Sequence, residues 1–390
     1  MKKQKVIVGL SGGVDSSVAA LLLIEQGYEV EAVFMQNWDD STGVLDGDCH
    51  WEDDYDFAKI VAKQLGIKLH HLNLVGEYRK RIVDYMFSEY EAGRTPNPDI
   101  LCNREIKFDT FLKHVLSLGA DKVATGHYVG NNLLQNGEFQ LLQGIDSNKD
   151  QSYFLSQLNQ EQISKSIFPL ADLTKPQIRE IAKNHDLASQ SKKDSQGLCF
   201  IGKVDLPTFL KQQLVPRPGD VIEISKEMGR EQIEALDFTD PDIAVSPYHF
   251  DRSFGKVVGQ HQGVQFYTIG QRKGLNIGGF PEPLYIINID NKSNTIYVGQ
   301  GEDHPLLNRK GLFIKEKDIH FIRPSMEMAL NDDKEFDVRF RHRQPLQKAN
   351  LQKVENGLRV IFNEKQQGIS PGQFAVWYEG RECIGSGPIS

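Results

Sequence analysis

Apolar positions change their period partway along this chain. Through the first 200 residues, short β-branched runs alternate with stretches whose apolar positions recur every three or four residues. "KVIVGL" reads as a strand, "SSVAALLLIEQG" as a helix closed by Gly27, and "EVEAVFMQ" and "KLHHLNL" as second and third strands. Between the last two, "DDYDFAKIVAKQLG" places Phe57, Ile60, Val61 and Leu65 on one helical face. Another helix is expected over about 100–118, followed by a strand in "DKVATGHY" that ends at Gly126. Strands separated by helices predict an α/β unit built on a parallel sheet.

The Pro and Gly cluster "VPRPGD" marks a boundary near 215–220, and past it the pattern turns all-β. "PLYIINID" and "NTIYVGQ" flank "NKS" as a hairpin; "KEFDVRFRHR", "GLRVIF" and "QFAVWYEG" read as further short strands of a small barrel. At 390 residues the chain exceeds one ordinary core. Three units are expected, over 1–213, 214–282 and 283–390, with an acidic surface insertion near 226–252 in the second.

Charge narrows the partners only locally. The net charge of −8 does not favour nucleic acid, which rewards a basic face. "VRFRHRQ" nevertheless sets Arg339, Arg341 and Arg343 at strand spacing, either as a basic ridge on one side of a sheet or as a charged edge strand. No run approaches the roughly 18 apolar residues of a membrane span, and the apolar part of "MKKQKVIVGL" is too short for a secretory signal. No membrane contact and a cytoplasmic location are expected. The four cysteines, Cys49, Cys102, Cys199 and Cys383, form no CxxC pair, so no metal centre held by protein side chains is expected.

The chemistry begins in "VGLSGGVDSSVAALLL". A strand, then Ser11-Gly12-Gly13-Val14-Asp15-Ser16, then a helix places backbone N–H groups and two hydroxyls at the positive end of a helix dipole. Phosphate is the natural guest, yet the loop lacks the lysine of a Walker-type loop. It resembles the PP-loop of the ATP pyrophosphatase superfamily, whose members cleave ATP between the α- and β-phosphates. That resemblance implies that Gly9, Leu10, Ser11, Gly12, Gly13, Val14, Asp15 and Ser16 hold ATP, with Met35 by the adenine and Gly126 at a neighbouring strand end. It also implies that Asp15 helps order Mg²⁺.

Two thiols distinguish the reactions such a loop could serve. Cys102 follows Asp99, which reads as an N-cap, so the thiol falls in a first helical turn with Arg104 and Lys107 nearby, a setting that favours thiolate. Cys199 follows Lys192 and Lys193 and a Gly-containing turn, a setting for an accessible thiol. Carboxylates surround Cys49, and Cys383 reads as packing or surface.

"NPDILC", "ATGHY", "KDQSYFL", "DSQGLCFIG", "YTIGQRKGL" and "RHRQ", spread over nearly the whole chain, resemble the tRNA-specific 2-thiouridylase family. The resemblance implies ATP-dependent 2-thiolation of the wobble uridine in a tRNA anticodon stem-loop, with a desulfurase or relay protein as persulfide donor. It implies Cys199 as persulfide carrier, Cys102 as nucleophile, a transient disulfide between them, and Asp99 as acid or base. Asn97, Pro98 and Asp99 would meet the target base. His127, Lys149, Asp150, Gln151, Leu307, Asn308 and Gln344 would contact tRNA, and 214–282 would be a tRNA-binding unit. From the residues alone, two alternatives stand beside this: a different PP-loop adenylating enzyme, amide-forming or cytidine-modifying, and a non-catalytic nucleotide- and RNA-binding protein.

Overall fold

The structure, a computed structural model, describes residues 3–39, 51–194 and 205–390. Among these residues the strands form three sheets. The first is parallel and combines β1 (Lys5–Gly9), β2 (Glu29–Gln36), β3 (Leu69–Asn73), β4 (Lys122–Ala124) and a short later strand, Ser166–Ile167, in the order β3-β2-β1-β4 and then that strand. Val6, Ile7 and Val8 of β1 are wholly buried because helices cover both faces, which is why this strand reads as a continuous apolar run. The first helix, Val14–Glu25, ends as its sequence predicts: Gly27 takes φ +88° and its N–H returns to the Ile24 carbonyl.

Between β4 and Ser166–Ile167 the chain makes a hairpin of β5 (Val129–Leu133) and β6 (Phe139–Gln143). This hairpin leaves the parallel sheet and joins the third. Ser166–Ile167 is β7. The second sheet consists of β8 (Gly219–Glu223), β9 (Lys256–His261), β10 (Leu284–Asp290) and β11 (Thr295–Gln300) in the order β10-β11-β8-β9. The expected hairpin is present as β10 and β11, but it pairs with β8 through the Thr295–Asp220 to Val298–Glu223 register. It therefore belongs to the middle sheet, and a division at 282/283 would cut that sheet between its strands. Local alternation identifies a hairpin but not the distant strand its edge will find.

The third sheet holds β12 (Asn308–Lys315), β13 (His320–Phe321), β14 (Asp333–Arg339), β15 (Gln347–Val354), β16 (Gly357–Gln367), β17 (Phe374–Glu379) and β18 (Glu382–Pro388), continued by β6 and β5. Glu382 and Cys383 of β18 pair with Leu142 and Leu141 of β6. One core accordingly spans two units, with Ile7, Val123 and Tyr153 in the same cluster as Phe374, Val376 and Cys383. Cys383 is packing: it is fully buried, and burial pushes its thiol pKa up.

The arginine ridge does not form. β14 ends at Arg339, so the three arginines never share a strand face. Arg339 turns inward to Asp150, Arg341 donates to the carbonyls of Gln367 and Gly368, and only Arg343 is left exposed without such a role among these three. In the insertion, the helices Lys226–Glu234 and Pro241–Val245 pack back onto the protein. Tyr248 Oη donates to the Asn308 carbonyl at 2.7 Å, Arg309 Nη2 donates to the Val245 carbonyl at 2.8 Å, and Arg359 pairs with Asp242.

Candidate functional site

The loop after β1 closes on its own hydroxyls. Ser16 Oγ accepts from the Ser11 amide at 3.2 Å, lies 3.1 Å from Ser11 Oγ and donates to the Gly13 carbonyl. Ser17 Oγ reaches the same carbonyl at 2.8 Å and accepts from Ser189. Gly12 sits at φ +76°, and a Cβ there would stand 2.2 Å from the Asp54 carbonyl oxygen. Glycine is thus required twice, by backbone conformation and by the approach of the second helix. Gly126 is required by a similar contact: a Cβ would fall 2.8 Å from the Asp15 carbonyl carbon and the Ser16 nitrogen. Gly9 gives room to Met35, whose methyl would be 3.3 Å from an added Cβ. Leu10 and Val14 are buried beneath the loop, whereas Ser11 is exposed.

The cation missing from the loop comes from elsewhere in the chain. Lys175, at the start of the Lys175–Asn184 helix, places Nζ 2.7 and 2.9 Å from the two Asp15 carboxylate oxygens. Tyr128 Oη donates to Asp15 at 2.6 Å; burial and the Asp15 charge raise the phenol pKa and keep it a donor. Lys175 also reaches Asp194, as do Lys149 at 2.6 Å and Arg179 at 2.8 Å. Burial opposes the charge on Asp194, but these cations prevail and hold its pKa at about 2. Among the described residues no group of three side chains could hold a metal ion. One carboxylate beside a phosphate cradle is a donor set that suits Mg²⁺ carried on nucleotide phosphates.

Past Met35, the end of β2 leads to Trp38, which packs in one cluster with Tyr78, Leu101, Cys102, Ile106 and Phe209. Met35 packs against this cluster, and its methyl lies beside Gly9 at the end of β1. The helix carrying Cys102 starts differently from expectation. Asn97, not Asp99, is the N-cap, accepting from the Ile100 amide at 3.3 Å, with Pro98 at the first helical position. Cys102 lies one step beyond the first turn, where a widened π-helical stretch, Cys102–Thr110, begins. Cys102 has no exposed surface and is covered by the cluster that includes Phe209 and Leu210 of the Leu206–Leu210 helix. Its sulfur is therefore shielded from solvent in this arrangement. Cys199 and Cys49 lie outside the described residues.

Asn97, Pro98 and Asp99 are half-buried where the three units meet. Just before them the Thr95 amide donates to the Pro371 carbonyl, Gln373 donates to the Thr95 and Pro96 carbonyls, and Thr95 Oγ1 lies 3.1 Å from Thr268 Oγ1. Asn103 ties the turn inward by donating to the carbonyls of Asp99 and Phe154.

A cleft of about 820 Å³ opens between the first unit and the barrel, with Lys149, Arg343, Arg381 and Gln344 among its lining residues. Gln344 is half-buried and holds the Phe340 amide. Several of the other residues expected at the RNA also make internal contacts. Asp150, also in the cleft wall, is 3% exposed and takes Arg339 and the Gly144 and Ser152 amides. Gln151 caps the Tyr128 amide at 3.0 Å. His127 is buried against Phe108 and Phe168 with Nδ1 2.7 Å from Thr125 Oγ1, and burial, aided by Lys107, holds its pKa well below the ordinary imidazole value. Leu307 is core, whereas Asn308 is half-buried at its edge.

A phosphate cradle at the carboxyl ends of a parallel sheet, with charged groups converging on it, defines an α/β enzyme of the PP-loop nucleotide-binding class. Family models match in three blocks: a "tRNA methyl transferase HUP domain" over residues 4–203, a "tRNA methyl transferase PRC-barrel domain" over 242–300 and an "Aminomethyltransferase beta-barrel domain" over 312–389. A tRNA-specific 2-thiouridylase MnmA of Christiangramia forsetii is 50% identical over 99% of this chain and 100% of its own, and one of Flavobacterium johnsoniae has the same identity and coverage. One of Pseudomonas aeruginosa is 44% identical over 100% of this chain and 95% of its own. The chain belongs to the tRNA-specific 2-thiouridylase family. No described helix is long and apolar enough to cross a membrane.

Proposed function

We propose that this chain is a tRNA-uridine 2-sulfurtransferase that uses ATP to activate the wobble uridine of an anticodon stem-loop. The observation that supports the reading is Met35, which packs against the Cys102 cluster and whose methyl lies beside Gly9, where β1 leads into the Ser11–Ser16 loop. A phosphate cradle alone serves many adenylating enzymes; a thiol beside it suits sulfur transfer.

The chemistry divides a difficult displacement into feasible steps. Uracil O2 attacks the α-phosphorus, the Pα–O bond to pyrophosphate breaks, and the poor leaving oxygen becomes part of AMP. The terminal sulfur of a Cys199 persulfide then attacks C2 and AMP departs. Cys102 thiolate attacks the Cys199 sulfur, breaking the S–S bond, leaving sulfur on C2 and forming a Cys102–Cys199 disulfide that a reductant must reopen. Asp99 exchanges the proton. The Ser11–Ser16 loop orients the phosphates, and bound Mg²⁺ would neutralise phosphate charge beside Asp15. The target base must leave its stack to react, and an anticodon loop has little pairing to lose. A separate persulfide-bearing protein supplies the sulfur.

The methyl transfer in the names of all three matching families is less well supported, since methylation from an activated methyl donor needs neither a phosphate cradle nor paired thiols. Incubating the protein with ATP, tRNA and a persulfide donor tests the reading. Thiolated tRNA, AMP and pyrophosphate are expected, and Cys102→Ala and Cys199→Ala are each expected to abolish thiolation. Productive cleavage of ATP to ADP, or thiolation that survives either substitution, would overturn it.

A further inference from the structure

Three cations converge on the carboxylate of Asp194. Lys175 Nζ stands 2.8 Å from Oδ1, Arg179 Nη2 2.8 Å from the same oxygen, and Lys149 Nζ 2.6 Å from Oδ2. One carboxylate balances only part of this charge, and Asp15 also pairs with Lys175 Nζ. Two of the three cations have anchors besides Asp194. Arg179 is anchored by the carbonyls of Gln190 and Lys192, and Lys175 by both oxygens of Asp15 and, through its amide, by Asp146 at 2.9 Å. Lys149 lies in a turn whose amide returns to the Asp146 carbonyl. If Asp194 moved away, a ready-made anion site would remain, touching the glycine loop on one side and the basic cleft on the other.

Phosphate matches this site better than carboxylate does, because it carries more charge and a third oxygen for charge-assisted hydrogen bonds. We propose that Lys149, Lys175 and Arg179 form the binding site for the pyrophosphate portion of ATP, and that Asp194 occupies that site as an internal competitor until the nucleotide displaces it. Distant residues would then provide the positive charge absent from the loop's own sequence. This deepens the adenylation reading and rests on it for the identity of the ligand.

The competition predicts opposite signs for substitutions within one cluster. Equilibrium binding of inorganic pyrophosphate to the full chain should tighten about three- to tenfold in Asp194→Asn, and weaken by about as much in Lys149→Gln and Arg179→Gln, the size of effect that follows from adding or removing one charge-assisted hydrogen bond. Lys149 and Arg179 are partly exposed, so these variants avoid the folding risk of altering buried Lys175. A purely structural cluster would instead lose affinity, or show no change, in all three. Asp194→Asn that is folded by thermal melt but binds pyrophosphate no more tightly than the parent overturns the site and leaves adenylation standing. Opposite shifts together with failure to form AMP from ATP and tRNA would uphold the site and overturn the adenylation reading.

Discussion

Arg339 of β14 and Asp150 of the first unit form an ion pair buried from solvent on both sides, at 8% and 3% side-chain exposure. Tyr378 Oη and Ser152 Oγ complete the network around the guanidinium. The pair joins residues 189 positions apart and closes the barrel against the nucleotide-binding unit. Removing one member strands the other charge, so Arg339→Met should cost about 3–5 kcal/mol, whereas converting both to apolar residues should recover most of that. Urea unfolding of the two single variants and the double variant checks this. Reduced tRNA affinity in an Asp150 variant should be accompanied by lower stability.

Gly12→Ala should spare the fold and disable the loop. The residue would have to hold φ +76° and clear the Asp54 carbonyl, and the loop would shift to relieve both. ATP binding should weaken by about tenfold or more, because the backbone donors of a phosphate loop act only in register. Nucleotide titration, with circular dichroism as the folding control, measures the effect.

Acid should destabilise this protein well above the carboxylate range. Burial lowers the pKa of His127, His261, His304, His320 and His342. Each is neutral when folded and gains a proton on unfolding below about 6.5, so the stability they contribute is present above that pH and is lost as pH falls toward their folded values. Asp194, held at about 2, works lower: its contribution is complete above the ordinary aspartate value and disappears as pH drops through about 2. Urea midpoints should be flat above pH 7 and decline from pH 6.5 to 5. His127→Gln should reduce the decline.

The insertion should contribute to the stability of the strands it packs against. Tyr248 holds the Asn308 carbonyl, and Asn288 holds the Tyr248 carbonyl at 2.7 Å. Tyr248→Phe removes one of these hydrogen bonds and should lower stability by about 1 kcal/mol. Urea unfolding of the variant beside the parent measures the effect.

Sequence periodicity is sufficient for β1, the first helix and the β10–β11 hairpin, where local pattern and final structure are set by the same residues. The glycine loop is legible because its chemistry occupies six consecutive positions. Lys175 and Asp194 are not, since a lysine opening a helix and an aspartate in an irregular stretch carry no local mark of the loop they face. Asn97 displaces Asp99 as cap because Pro98 fits the first helical position and sets the register. The Arg339 side chain departs from expectation for a related reason: strand spacing predicts a shared face only while the strand continues, and β14 stops there.

The β5–β6 hairpin has a consequence for biogenesis. Leu141, central to the first unit's core, pairs along an edge that Cys383 completes, and the neighbouring Gln140 awaits Glu382, 242 residues downstream. During translation the nucleotide-binding half must therefore emerge with an open β-edge, exposed to chaperones and to wrong partners, and it cannot mature until the ribosome has made β18.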